Sequence, residues 1–135
     1  MRSRLVGDER AGTTLVAAAL ILVMLLTGVF LHDVTALYGA RGQAQTAADA
    51  AAKAAGLELS PYFGVGGRPR EAAEEYAGRN GACLEEFGIG GRERYIWVTV
   101  SVSRRVDHLL LKNSGAVVKA TARCYLDLDP ESRSP

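Results

Sequence analysis

Hydrophobic and polar positions follow three different rhythms along this chain, and the first is the absence of any rhythm. From Ala11 to Leu31, AGTTLVAAALILVMLLTGVFL carries no charged residue and only Thr13, Thr14 and Thr27 interrupt it. As a helix rising ~1.5 Å per residue the run is roughly 30 Å long, the thickness of a bilayer's hydrocarbon core. A core helix of a small domain is apolar along one stripe, whereas a helix apolar all round suits lipid, where threonine hydroxyls can bond back to the helix's own carbonyls. The pattern predicts a membrane-spanning helix in preference to a cleaved signal peptide. A signal peptide has an apolar region of roughly 7 to 15 residues followed closely by a small-x-small site. Here HDVTALYGA follows, and a cut after Ala40 would put Tyr38 where a small residue is required.

The second rhythm repeats about every four residues. Between Val34 and Leu57 the chain is dominated by alanine, the strongest helix former, so the span is expected to continue as a helix into water. Arg41, Gln45, Asp49 and Lys53 fall on one face, with Asp49 and Lys53 in the favourable order for an i,i+4 pair. Ala44, Ala47, Ala48, Ala51 and Ala55, with Ala40, make a smooth opposite stripe suited to close helix packing. Two uses of that stripe stand side by side: packing under this chain's own head, or bundling with other subunits. Gly56 is a plausible end for the helix. After the turn-rich SPYFGVGGR, Pro69 suits the first turn of a second helix, with Glu71, Glu74 and Glu75 near its positive end and Ala72, Ala73, Tyr76 and Ala77 as its buried face.

The third rhythm has period two. Ile96, Val98, Val100, Val102 and Val106 alternate with Thr99, Ser101 and Ser103, and Val118, Ala120, Ala122, Cys124, Leu126 and Leu128 alternate with Lys119, Thr121, Arg123 and Asp127. With a weaker candidate at 82–89 this predicts about three antiparallel strands, one face covered by a helix because a bare hairpin is only marginally stable. The fold class is therefore α+β. Its expected parts are a segment 1–10, a transmembrane helix 11–31, an Ala-rich helical stalk 32–58, a small α+β head 59–128 and a tail 129–135. Leu109, Leu110 and Leu111, beside His108 and Lys112, form an apolar knot between the last two strands that could pack on the core edge, touch a partner or meet lipid headgroups.

Charge sets the direction. Arg2, Arg4 and Arg10 precede the span and the next basic residue is Arg41, so the N-terminus is expected in the cytoplasm and the head outside. The formal charge of the 135 residues is only +1, without a Lys/Arg run or zinc-finger spacing, which speaks against nucleic-acid binding. On the outer side Cys83 and Cys124 read as a disulfide, with two unpaired thiols as the alternative. His32 and His108 have no ligand spacing to a cysteine, so no metal is expected, and neither is any cofactor. A nucleophile with a base and an orienting group is also missing, so no catalytic residues are assigned and the chain is expected not to be an enzyme. Phe63-Gly64-Val65-Gly66-Gly67-Arg68 is echoed by Phe87-Gly88-Ile89-Gly90-Gly91-Arg92. Glycine-rich loops can cradle phosphate, but neither copy has the P-loop lysine and hydroxyl, so both are read as connecting turns.

The run Asp8-Glu9-Arg10-Ala11-Gly12 into the span, followed by Ala40-Arg41-Gly42-Gln43-Ala44-Gln45-Thr46-Ala47-Ala48-Asp49-Ala50-Ala51-Ala52, resembles the opening of TadE/TadG-like proteins of the tight-adherence (Flp) pilus system. Val98–Val102 and Val118–Cys124 are similar to that family's closing strands. The resemblance implies a single-pass, pilin-like membrane protein that contacts other pilus or secretion-system subunits, and copies of itself, in an assembly. Some members are cut by a prepilin peptidase after a glycine and carry a glutamate at the fifth mature position. Gly12 is the candidate processing site here, but that position would then be Ala17, and after Gly7 it would be Gly12. The missing glutamate points to the TadG-like, anchored end of the family. The alternative is a membrane-anchored ligand-binding or sensing module that uses the glycine loops and the Leu109–Leu111 knot.

Overall fold

The computed structural model describes residues 3–60, 67–106 and 115–128, with side chains from residue 12 onward. Most of the first glycine-rich copy, the Leu109–Leu111 knot and the 129–135 tail lie outside the described residues.

A single helix, α1 (Ser3–Leu59), contains both the apolar run and the alanine-rich run. Its 57 residues correspond to about 85 Å at ~1.5 Å each. The charged N-terminal segment, expected to be irregular, is already helical from Ser3, and the helix passes Gly56 to end at Leu59. Nothing in the sequence between the two runs interrupts it: β-branched residues are few and no proline occurs before Pro61. Thr27 donates to the Val23 carbonyl at 2.8 Å and Thr35 to the Leu31 carbonyl at 2.8 Å, so these hydroxyls are satisfied within the helix itself.

The second helix, α2 (Pro69–Arg79), starts with proline at its first turn and carries Arg68–Glu71 (3.2 Å) and Glu75–Arg79 (2.5 Å) ion pairs on its exposed side. Ala73 and Ala77 are its buried residues. Tyr76, expected to be buried, instead faces out at 41% exposure with the Arg79 guanidinium 5.2 Å from its ring centre. Two alanines bring α2 close enough to the alanine face of α1 that a tyrosine beside them is pushed to the rim.

Three strands follow: β1 (Cys83–Arg92), β2 (Tyr95–Arg105) and β3 (Val117–Asp127). They form one antiparallel sheet in the order β1-β2-β3. The second glycine-rich copy is therefore not a turn. It is the outer half of β1, and the turn comes after it, where Glu93 adopts φ 25°. A register shift between Leu84 and Glu86 places one extra residue in β1. The alternation predicted for β2 and β3 holds: Val98, Val100 and Val102 are fully buried, facing the helices, with Ala122 beside them.

The core is small residues against β-branched ones. Ala47, Ala48, Ala51 and Ala55 of α1 are 0% exposed and share one cluster with Ala73, Ala77, Val98, Val100 and Val102. Alanine on the helix lets its backbone approach the sheet, and valine fills the shallow space that results. Arg104 ties the layers together by donating from Nη1 to the carbonyls of Asn80 (2.9 Å) and Gly81 (3.0 Å) at the end of α2. The buried alanines between Ala40 and Ala55 thus form part of the core beneath the sheet.

Candidate functional site

The candidate surfaces follow from how α1 is divided. From residue 12 to 31 its side chains are exposed, Val29 alone being intermediate, with Leu15 at 74% and Met24 at 76%. Burial begins at Asp33 and follows the alanine stripe from Ala40 to Ala55. The head starts where the apolar run stops. Its sheet runs alongside the helix: Arg105 and Val106, at the end of β2, share a depression with Ala36 and Ala40, while Cys124 and Leu126 of β3 sit beside Gly56.

The alanine residues singled out from the sequence, Ala44, Ala47, Ala48, Ala51 and Ala55, are each 0% exposed under this chain's own sheet and second helix. The opposite stripe is solvated: Gln45 donates to Asp49 at 3.1 Å, and Lys53 is exposed. Gly12 lies within α1, exposed.

The cysteines correct an expectation. No disulfide links Cys83 and Cys124; both are free. Cys83 pairs with Ser103 and Cys124 with Val98, on opposite sides of β2. That offset is about 17 Å along the strand plus two strand spacings of ~4.8 Å, far beyond the roughly 4.4 to 6.8 Å between Cα atoms that a disulfide needs. The faces differ as well. Cys124 shares Val98's core side, whereas Cys83 shares the face of Ser103, opposite to Val102, and is exposed.

Cys124 lines an open apolar groove of about 430 Å³ with Lys53, Gly56, Leu57 and Leu126. A Cβ at Gly56 would come within 2.9 Å of the Cys124 sulfur, so this glycine serves close helix–sheet approach rather than helix termination. Burial pushes the Cys124 thiol above its ordinary pKa, with the Lys53 ammonium pulling weakly the other way. The expected consequence is a split in reactivity: at about pH 8 a thiol-directed reagent labels the exposed Cys83 quickly and the half-buried Cys124 slowly, and the gap narrows as the pH is raised. Mass spectrometry of timed aliquots checks this, and reducing and non-reducing gels should show the same mobility. Because the fold favours the neutral thiol, its contribution to stability is complete below the unfolded thiol's pKa and is lost as the pH rises through the folded one.

Among the described residues no group of three or more His, Cys, Asp or Glu could hold a metal ion. Arg94 and Asp127 form a 3.2 Å ion pair closing the far end of the sheet, where Leu128 also donates its N–H to the Arg94 carbonyl.

Among the described residues one exposed apolar helix is long enough to cross a bilayer, and its continuity with the core of a small α+β head fits a membrane-anchored protein. Residues 11–58 match the family model described as putative Flp pilus-assembly TadE/G-like, so the family resemblance read from the residues is matched along α1, and the match stops before α2 and the sheet. Over those residues, about a third of its length, the chain is similar to TadE/G-like proteins. No curated protein and no solved structure matches the chain.

Proposed function

We propose that this protein is a non-enzymatic, single-pass component of a Tad/Flp-type pilus or a related secretion apparatus, with its N-terminus in the cytoplasm and its head outside. The observation that carries the reading is the coincidence of the family match over residues 11–58 with a helix whose first half is apolar and bare and whose second half is the seat of the head. The arrangement is pilin-like in the sense that one long N-terminal helix both enters the membrane and backs an antiparallel sheet. Domains follow accordingly: a segment 1–10, an anchor at 11–31, and a head built from the rest of α1 with 59–128.

Because the alanine stripe is occupied by the head, contacts with other pilus subunits or with further copies fall to the apolar half of α1 and the open faces of the head. Gly12 remains the position at which processing would leave Thr13 as the first residue.

Deletion and complementation test this. Loss of the protein should abolish surface pili, and the full chain should restore them while a chain lacking residues 12–31 should not. Unchanged pilus number in the deletion strain overturns the reading. The N-terminal mass of the purified protein then separates an anchored subunit from one beginning at Thr13.

A further inference from the structure

The face of the sheet turned away from α1 is used by neither anchor nor core, and its half farthest from the apolar run has an unusual make-up. The Trp97 ring lies over the bare backbone of β1, because a Cβ at Gly90 would come within 2.4 Å of it. Tyr125 sits directly opposite Trp97 on β3, 62% exposed, with ring centres 6.4 Å apart and planes at 47°. Tyr95, 40% exposed, follows on the same face, since β2 alternates with a period of two. Arg123 spans the gap between strands, donating from Nε to the Thr99 hydroxyl at 3.1 Å and from Nη1 to the Tyr125 hydroxyl at 3.3 Å.

Charge is distributed unevenly over this face. Arg92, opposite Tyr95, and Arg123 are exposed and have no carboxylate partner among the described residues. Asp127, at the same end, already pairs with Arg94. Glu85 and Glu86 belong to the other half, where Glu85 accepts from Ser103. The far half is therefore an aromatic floor, with the Arg94 guanidinium 5.8 Å from the Tyr95 ring centre, flanked by hydroxyls and by two guanidinium groups that have no carboxylate partner among the described residues.

We propose that this surface binds an anionic polysaccharide, with sugar rings stacking on Trp97, Tyr125 and Tyr95 and carboxylates pairing with Arg92 and Arg123. The apolar C–H face of a pyranose complements the electron-rich face of an aromatic ring. Guanidinium groups recognise planar carboxylates in a two-pronged fashion. Two arginines without a carboxylate partner are few for a nucleic acid, whose affinity is dominated by many phosphate contacts. Cross-strand packing accounts for Trp97, Tyr125 and the glycine beneath the indole, and it is the two exposed arginines without a carboxylate partner beside those rings that point to an anionic ligand. The proposal goes beyond the pilus reading and does not depend on it, because binding is measured on the isolated protein.

Trp97 is the single tryptophan of the chain, so its emission reports directly on the site. The full-length protein in detergent micelles is titrated with polygalacturonate, with neutral dextran, polyglutamate and oligothymidine as comparisons. The expected result is a saturable emission change with polygalacturonate and a much weaker response to the other three. Tyr125→Ala and Arg123→Ala should each weaken binding roughly five- to tenfold, the scale of one charge-assisted or stacking contact. Tyr125→Phe, which keeps the ring, should stay closer to the parent. Circular dichroism confirms that each variant is folded. No response to polygalacturonate overturns the proposal, as does full affinity in the Tyr125→Ala/Arg123→Ala double variant. Equal binding of polyglutamate or of oligothymidine overturns it too, by assigning the surface to polyanions at large or to nucleic acid.

Discussion

Replacing both Ala48 and Ala51 by leucine is expected to strip the head from its helix. Both side chains are 0% exposed in the cluster that also contains Val98, Val100 and Val102. Inserting bulk into a filled core costs about 1 to 3 kcal/mol per site when the neighbours can adjust. Here they adjust poorly, because the added atoms meet a sheet held on one side by its ladder and on the other by a straight helix. For the pair, a loss of at least about 3 kcal/mol corresponds to a fall in melting temperature of roughly 12 to 24 °C for a head of this size. Thermal unfolding followed by near-ultraviolet signals from Trp97 and the tyrosines measures it. Gln45→Leu, on the solvated stripe, should change stability by less than about 0.5 kcal/mol. If the alanines serve contacts between subunits instead, the double variant keeps its melting temperature and changes only its oligomeric state.

The second large effect is on anchoring. Ile21→Arg with Met24→Arg places two charges near the middle of the apolar run, at about 2.5 to 3.5 kcal/mol each on insertion scales. Ile21 is 59% exposed and Met24 76%, so the head loses no contact from either change. The expected outcome is that alkaline extraction moves the protein from the membrane pellet to the supernatant while the thermal transition of the head stays where it was. Retention of the double variant in the pellet would show that something other than this segment holds the protein there.

Much of this architecture is written plainly in the residues. Val98, Val100 and Val102 alternate with polar positions because one side of β2 faces alanines and the other water, and a period of two records that directly. The alanine stripe could be read as a packing surface, but not assigned to a partner, since close approach demands small side chains whichever surface approaches. The cysteines show the limit more sharply. Arg92 pairs with Tyr95 and Phe87 with Val100, and that register carried unbroken down β1 would set Cys83 opposite Arg104, on the core face. The single extra residue at Leu84/Glu86 sets it opposite Ser103 instead and turns it outward. Nothing in CLEEFG announces that bulge. The glycines of FGIGGR misled for a related reason: they read as a turn, whereas Gly90 is small because an indole from the next strand lies over it.

The unbroken passage of α1 from apolar run to head fixes the compass bearing of the head relative to that run. An α-helix turns about 100° per residue, so the heading of the sheet's outer face relative to the side chains of the apolar run is set by the number of residues between Leu31, where that run ends, and Asp33, the first buried position. One added residue there swings the head by over a quarter of a circle. Four bring it nearly back and lift it by about 6 Å. Any neighbour that grips the lower half of the rod therefore also decides which way the upper half looks.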